Sequence, residues 1–295
     1  MSKKALVTGA AGMLGSDLCP CLEKNGYDVI RTDINLREST IEKLDVRNFD
    51  EVKEFIEKEN PEIVFHLAAE TDVDLCEKDP EHSYRSNYIA TENIAMVCRE
   101  KNLPMIYIST SAIFDGTAPE PYTEYDLPNP SNVYGRSKLE GEKAVIRLVE
   151  EHYIIRAGWM VGGWDIDKKF TRKIIELLKK NDEIKAVNDK VGSPTFTFDL
   201  SESIVRIVKN GRPGIYHSAN KGQCTRYEYA CKLIELMGLK EKKRVVPVSS
   251  AHFPLPAPRG RSEAMVNMKL NVLNMNKMPT WEESLEKYLK IYVKD

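Results

Sequence analysis

The sequence predicts an α/β protein: a doubly wound parallel sheet of Rossmann type, with a smaller, irregular C-terminal part. Three observations carry that prediction. Short apolar runs alternate with amphipathic stretches through the first half of the chain, as in βαβ units whose sheet is covered on both faces. The first apolar run ends in a glycine-rich turn that opens a helix. After about residue 160 the strands shorten and the loops lengthen, as in VNDKVGSPTFTFD and VVPVSSAHFPLPAPRGR.

The elements follow in order. KALVTG (4–9) is a β-rich strand ending in glycine, and Met13–Lys24 is an amphipathic helix. YDVIRTD (27–33) is the second strand, a short third strand ends at Asp45 and Val46, and a helix covers Phe49–Glu59. EIVFHLAA (62–69) is a buried strand, and one long helix runs over Glu81–Lys101. PMIYIST (104–110) is another buried strand, and YIIRAG (153–158) closes the series. Between them, NVYGRSKLEGEKAV reads as a helix: Pro128 and Pro130 precede it, Asn132 can cap it, and Leu139, Ala144, Val145 and Leu148 give it an apolar side.

Bulk properties narrow the function. The 295 residues are 42% hydrophobic and 30% charged, as expected of a globular protein with room for one large or two modest domains. A net charge of -2 and a pI near 6.3 argue against nucleic acid or a membrane surface as partner. The basic, then apolar, N-terminus is broken at Thr8, Gly9 and Gly12, so it reads as a strand and not as a signal peptide. Six scattered cysteines form no CxxC pair, which points to reduced thiols and a cytoplasmic setting. The five histidines form no ligand motif and no metal site is expected; His66, inside a buried strand, reads as a satisfied core residue.

The turn VTGAAGMLGSDL places Gly9, Gly12 and Gly15 between strand and helix, with Met13 and Leu14 opening the helix. Glycine permits the tight turn and lets a pyrophosphate approach the backbone at a helix N-terminus. Asp33 ends the second strand 18 positions after Gly15, where an acid can accept from an adenosine ribose and repel a 2′-phosphate. Arg31, on the same side of that strand, could instead hold a 2′-phosphate. The balance favours NAD(H) over NADP(H). Asp45 and Val46 could border the adenine, and Leu67, with the small Ala68 and Ala69, lets a cofactor lie close to the sheet edge. Residues 1–158 thus read as dinucleotide-binding, and 159–295 as mainly substrate-binding, with some segments returning to the main sheet.

Chemistry converges at the same edge. The strand MIYIST delivers Ser109, Thr110 and Ser111 to the C-terminal end of the sheet, where ligands bind in open α/β folds. Tyr134 and Lys138 follow one turn apart on a helix. Reducing a carbonyl needs a hydride on carbon and a proton on oxygen. A tyrosine can give the proton, a nearby ammonium lowers its pKa from about 10, and a strand-end hydroxyl such as Thr110 can polarise the carbonyl. Alone, Y-x-x-x-K is an ordinary solvated helix turn; its position after the glycine turn and the S-T-S strand end gives it meaning.

The glycine spacing, HLAA and YGRSK resemble the extended short-chain dehydrogenase/reductase superfamily over nearly the whole chain. Within it, ISTSAIFDGTAPEPYTEYDLPNPSNVYGRSKLEGEK, RAGWMVGG (156–163) and NDKVGSPTFTFDL (188–200) resemble dTDP-4-dehydrorhamnose reductases, as does the separation of 24 residues between Thr110 and Tyr134. The resemblance implies a catalytic Thr110, Tyr134 and Lys138, with Asn87 supporting a proton-relay water. It also implies a nucleotide-sugar substrate, a homodimer, and a hexose bordered by Trp159. Those reductases usually read S-T-D-Y-V-F-D-G; here Ser111 and Ala112 replace the acid and the aromatic, which opens the question of substrate specificity and disfavours a 4,6-dehydratase. Arg259 and Arg261 could hold a diphosphate. Two alternatives share these features: a nucleotide-sugar 4-epimerase, and a non-catalytic regulatory subunit resembling the methionine adenosyltransferase beta subunit.

Overall fold

The computed structural model describes residues 2–167 and 169–293. Its centre is a seven-stranded parallel sheet, in the spatial order Gly214–His217, His152–Ala157, Met105–Thr110, Ile63–His66, Lys3–Thr8, Tyr27–Asp33, Ile41–Lys43. The strands Lys3–Thr8 and Met105–Thr110 are buried almost throughout, because helices cover both faces. On one face Leu14, Leu18 and Leu22 of helix Met13–Lys24 pack against Leu200, Ile204 and Ile207 of helix Thr197–Asn210. On the other, Val52 and Ile56 meet Ile94, Val97 and Cys98, with Tyr107 and Val145 beside them. Each such fully buried aliphatic side chain contributes about 1.5–3 kcal/mol.

The chain beyond Gly158 builds its own core from Val161, Ile174, Ile184, Phe196, Tyr229, Trp281 and Tyr288. Its strands are short: Trp159–Val161 pairs with Pro194–Phe196, Glu183–Val187 with Arg244–Val248, and Val191–Gly192 with both Cys224–Thr225 and Ser262–Glu263. The same half of the chain supplies helix Thr197–Asn210 and the edge strand Gly214–His217 to the main sheet.

Two expectations need correction. The long helix over Glu81–Lys101 is three pieces, Pro80–Tyr84, a π-helical turn Arg85–Ile89, and Ala90–Lys101, preceded by a short helix Val73–Lys78. Asn87 lies inside the π turn, and its amide is tied to Glu70 and Ser137, while its carbonyl accepts from the Thr91 hydroxyl at 2.7 Å. Those ties draw the backbone out of regular register, and π turns are frequent at functional sites. The third strand spans Ile41–Lys43, so Asp45 and Val46 lie beyond its end. The Asp45 carboxylate accepts two bonds from the Arg47 guanidinium at 2.8 and 2.7 Å, and Val46 is buried with its carbonyl accepting from Asn93.

Candidate active site

The glycine turn is built by shape. Gly9 has φ of 74°, and a Cβ there would stand 2.6 Å from the Ala68 nitrogen. Leu67 keeps one bond to the first strand, its N–H donating to the Thr8 carbonyl at 3.1 Å; the chain then leaves the sheet, which is why the strand ends at His66 and not Ala69. Ala68 passes over Gly9 as it does so. A Cβ on Gly15 would stand 2.4 Å from the Ala10 carbonyl oxygen, so the third glycine lets helix and turn touch. Gly12 caps helix Met13–Lys24 without a side chain, and the first helical bond back to it comes from Ser16. The N–H groups of Met13, Leu14 and Gly15 thus point out of the helix end, as a diphosphate requires. Leu14 itself is buried in the core and Met13 is half-buried.

Asp33 holds this turn to the second strand, accepting from the Ala11 N–H at 3.0 Å and from Asn35 at 2.8 Å. Arg31 turns away to an ion pair with Glu23 at 2.7 Å.

The Tyr134 helix, Val133–Leu148, begins where the sequence placed its cap: Asn132 accepts from the Gly135 N–H at 2.8 Å. Asn132 also donates to the Pro258 carbonyl, and Glu77 accepts from Val133. Beneath the first turn lies a polar seam. Ser137 donates to the Tyr134 carbonyl at 2.8 Å and accepts from Asn87 and Ser83, both at 3.0 Å. Asn87 therefore spends its amide joining this helix to the loop at Glu70.

Thr110, at the strand end, accepts from the Ala112 N–H at 3.1 Å and stands beside the Tyr134 phenol. Burial pushes the phenol up to about 12, against Thr110, which favours its ionised form; the carboxylates of Glu263 and Glu70 add to the rise. The Lys138 ammonium sits 4.1 Å above the Tyr107 ring, and burial, opposed by Glu142, lowers it to about 7. Burial thus favours the neutral form of both Tyr134 and Lys138.

Behind Lys138 the supports are rigid. His66 is fixed by Thr8 at 2.7 Å and Thr91 at 3.1 Å, and burial pushes it down to about 3, so it is a neutral core residue. Glu142 forms a bidentate pair with Arg156 at 3.0 and 2.7 Å, both side chains almost fully enclosed.

The facing wall was only partly foreseen. Ser111 donates to Glu263 at 3.4 Å, and the Trp159 indole N–H donates to the same carboxylate oxygen at 3.2 Å. Arg226 lies 3.6 Å over the Trp159 ring, and Gly192 backs it so closely that a Cβ would come within 2.2 Å of Cε2. Trp159 is thus half-buried, with Arg226 over its ring and Gly192 packed behind it. Arg259 is held by Asp74 at 3.1 Å and by the Ala257 carbonyl at 2.8 Å, while Arg261 is exposed. Glu263 and Arg226 escaped the sequence reading. Arg226 had a signal, since the capping box Thr225-x-x-Glu228 puts it in the first turn of helix Arg226–Leu236. Among the described residues, no group of three His, Cys, Asp or Glu side chains gathers in metal-binding geometry, and no helix is long and apolar enough to cross a membrane.

Comparison with known proteins agrees with this geometry. A dTDP-4-dehydrorhamnose reductase of Mycolicibacterium smegmatis is 32% identical over 288 residues, covering 97% of this chain and 85% of that protein. The crystal structure of a dTDP-4-dehydrorhamnose reductase from Clostridium acetobutylicum superposes with a TM-score of 0.92 at 34% identity, covering 99% of this chain and all of the other. A Bacillus anthracis dTDP-4-dehydrorhamnose reductase in complex with NADP gives 0.92 at 33% identity, with 99% of this chain and 100% of that one covered. Residues 3–294 match the family described as RmlD substrate binding domain, and the chain belongs to that family.

Proposed function

We propose that this protein reduces the 4-keto group of a dTDP-linked 6-deoxyhexose with NAD(P)H, as its relatives' names imply for them. The observation that carries the reading is the buried Tyr134 phenol beside the Thr110 hydroxyl, at the sheet edge that also holds the glycine turn. The N–H groups of Met13, Leu14 and Gly15 would hold the cofactor diphosphate, and Asp33 its adenosine ribose; the cofactor supplies the hydride. Tyr134 gives its proton to the carbonyl oxygen as charge develops there, and Thr110 donates to the same oxygen. Lys138 binds and orients at the ribose, and Asn87 positions the helix that carries both. The Arg31 guanidinium is engaged by Glu23 beside Asp33, which supports NAD(H) as the preferred cofactor.

In this reading residues 1–158 handle the cofactor and 159–295 most of the substrate, in a cytoplasmic homodimer whose mass sedimentation would establish. Purified protein given dTDP-4-dehydrorhamnose should oxidise NADH with formation of dTDP-rhamnose, and more slowly with NADPH. A protein that binds NADH but consumes none with this substrate would overturn the reading. A retained cofactor with sugar interconversion and no net NADH loss would point to the epimerase.

A further inference from the structure

The wall opposite Tyr134 carries two charges that the catalytic steps above do not use. Glu263 reaches the cleft because its strand, Ser262–Glu263, pairs with Val191–Gly192. Its Oε2 takes both bonds from Ser111 and Trp159, and its Oε1 accepts none from any described residue. Arg226 lies between the rings of Trp159, at 3.6 Å, and Phe170, at 4.7 Å, and its guanidinium makes no hydrogen bond or ion pair with any described residue. Ser111, the neighbour of Thr110, joins Glu263 to the Tyr134 side of the sheet edge, and Trp159 joins Glu263 to Arg226.

We propose that Glu263 and Arg226 are the sugar-recognition pair of this cleft, gripping adjacent hydroxyl groups of the hexose. This rests on the reading of the chain as a nucleotide-sugar reductase. Glu263 Oε1 accepts from one hydroxyl, and Arg226 donates to its neighbour. The pair is electrically balanced, so it suits a neutral polyhydroxylated ring. A diphosphate would gain from Arg226 but be repelled by Glu263, which has no proton to donate. Each charge is also held in advance of binding. Trp159 and Ser111 orient the carboxylate, and two aromatic rings clamp the guanidinium, so little rotamer freedom is lost when the sugar arrives. Trp159 acts through both neighbours instead of stacking on the sugar itself.

The test compares dTDP with dTDP-rhamnose by calorimetry, alongside steady-state kinetics, for Arg226→Met, Arg226→Lys and Glu263→Gln. Arg226→Met and Glu263→Gln should each weaken dTDP-rhamnose by about 10- to 100-fold, the range for a hydrogen bond to a charged group. Their affinity for dTDP should stay within about twofold of wild type, by the same additivity. With dTDP-4-dehydrorhamnose the Arg226→Met loss should fall mainly on KM, and Arg226→Lys should recover part of it. Unchanged NADH binding serves as the folding control. Equal weakening of dTDP and dTDP-rhamnose would place Arg226 on the diphosphate and overturn the proposal, as would unchanged affinity for both. A wild type that prefers dTDP-rhamnose to dTDP but reduces no keto sugar would sink the reductase reading alone, and the variants would still decide the pair. A wild type that binds neither nucleotide would sink both.

Discussion

The glycine turn and the cleft wall do different work with different materials. The turn is contiguous, residues 9–15, and acts through backbone that only missing side chains can bring close. The wall gathers Ser111, Trp159, Arg226 and Glu263 from four distant segments and acts through charge. A site made of backbone tolerates no added atom but is indifferent to charge; a site made of side chains should respond in the opposite way.

That contrast can be broken in order of effect. Tyr134→Phe leaves shape intact and removes one proton donor, so turnover should fall by about 10²- to 10⁴-fold, with NADH affinity retained. Full activity by stopped-flow reduction would end the proton-donor role. Glu142→Ala strands Arg156 among buried groups, and chemical denaturation should show a loss of about 3–5 kcal/mol. A loss near zero would mean that the pair is replaceable. Gly9→Ala forces a Cβ at positive φ against Ala68; about 1–3 kcal/mol of strain should appear, and NADH binding by fluorescence should vanish. The smallest effect concerns pH. Lys138 is lowered to about 7 by burial, so its ammonium is present below that value and lost above it. NADH affinity should weaken as pH rises through about 7, and Lys138→Arg, which stays charged, should flatten the profile. A flat wild-type profile would remove Lys138 from the cofactor's field.

The same contrast explains what could be read in advance. The helices Met13–Lys24 and Phe49–Glu59 and the strand Tyr27–Asp33 fall where periodicity puts them, because local pattern and burial agree there. The π turn at Arg85–Ile89 was illegible, since it answers to Ser137 and Glu70, far along the chain. Tyr134 and Lys138 were visible as a pair four residues apart, but their spacing could not reveal that Lys138 would stand over the Tyr107 ring. Trp159 was visible in the sequence, but the groups packed on it, at 192 and 226, were not. Glu263 was passed over beside two arginines whose charge looked more useful.

The Asn132 cap has one more consequence. The same amide that starts the Tyr134 helix also holds Pro258, 126 positions away, and the edge strand Gly214–His217 completes the main sheet from the later half. The Tyr134 helix is thus laced to both halves of the polypeptide. Chimeras that graft the later half of a relative onto the earlier half of this chain would inherit a mismatched fastening, so specificity should transfer only when residues 132 and 258 travel together.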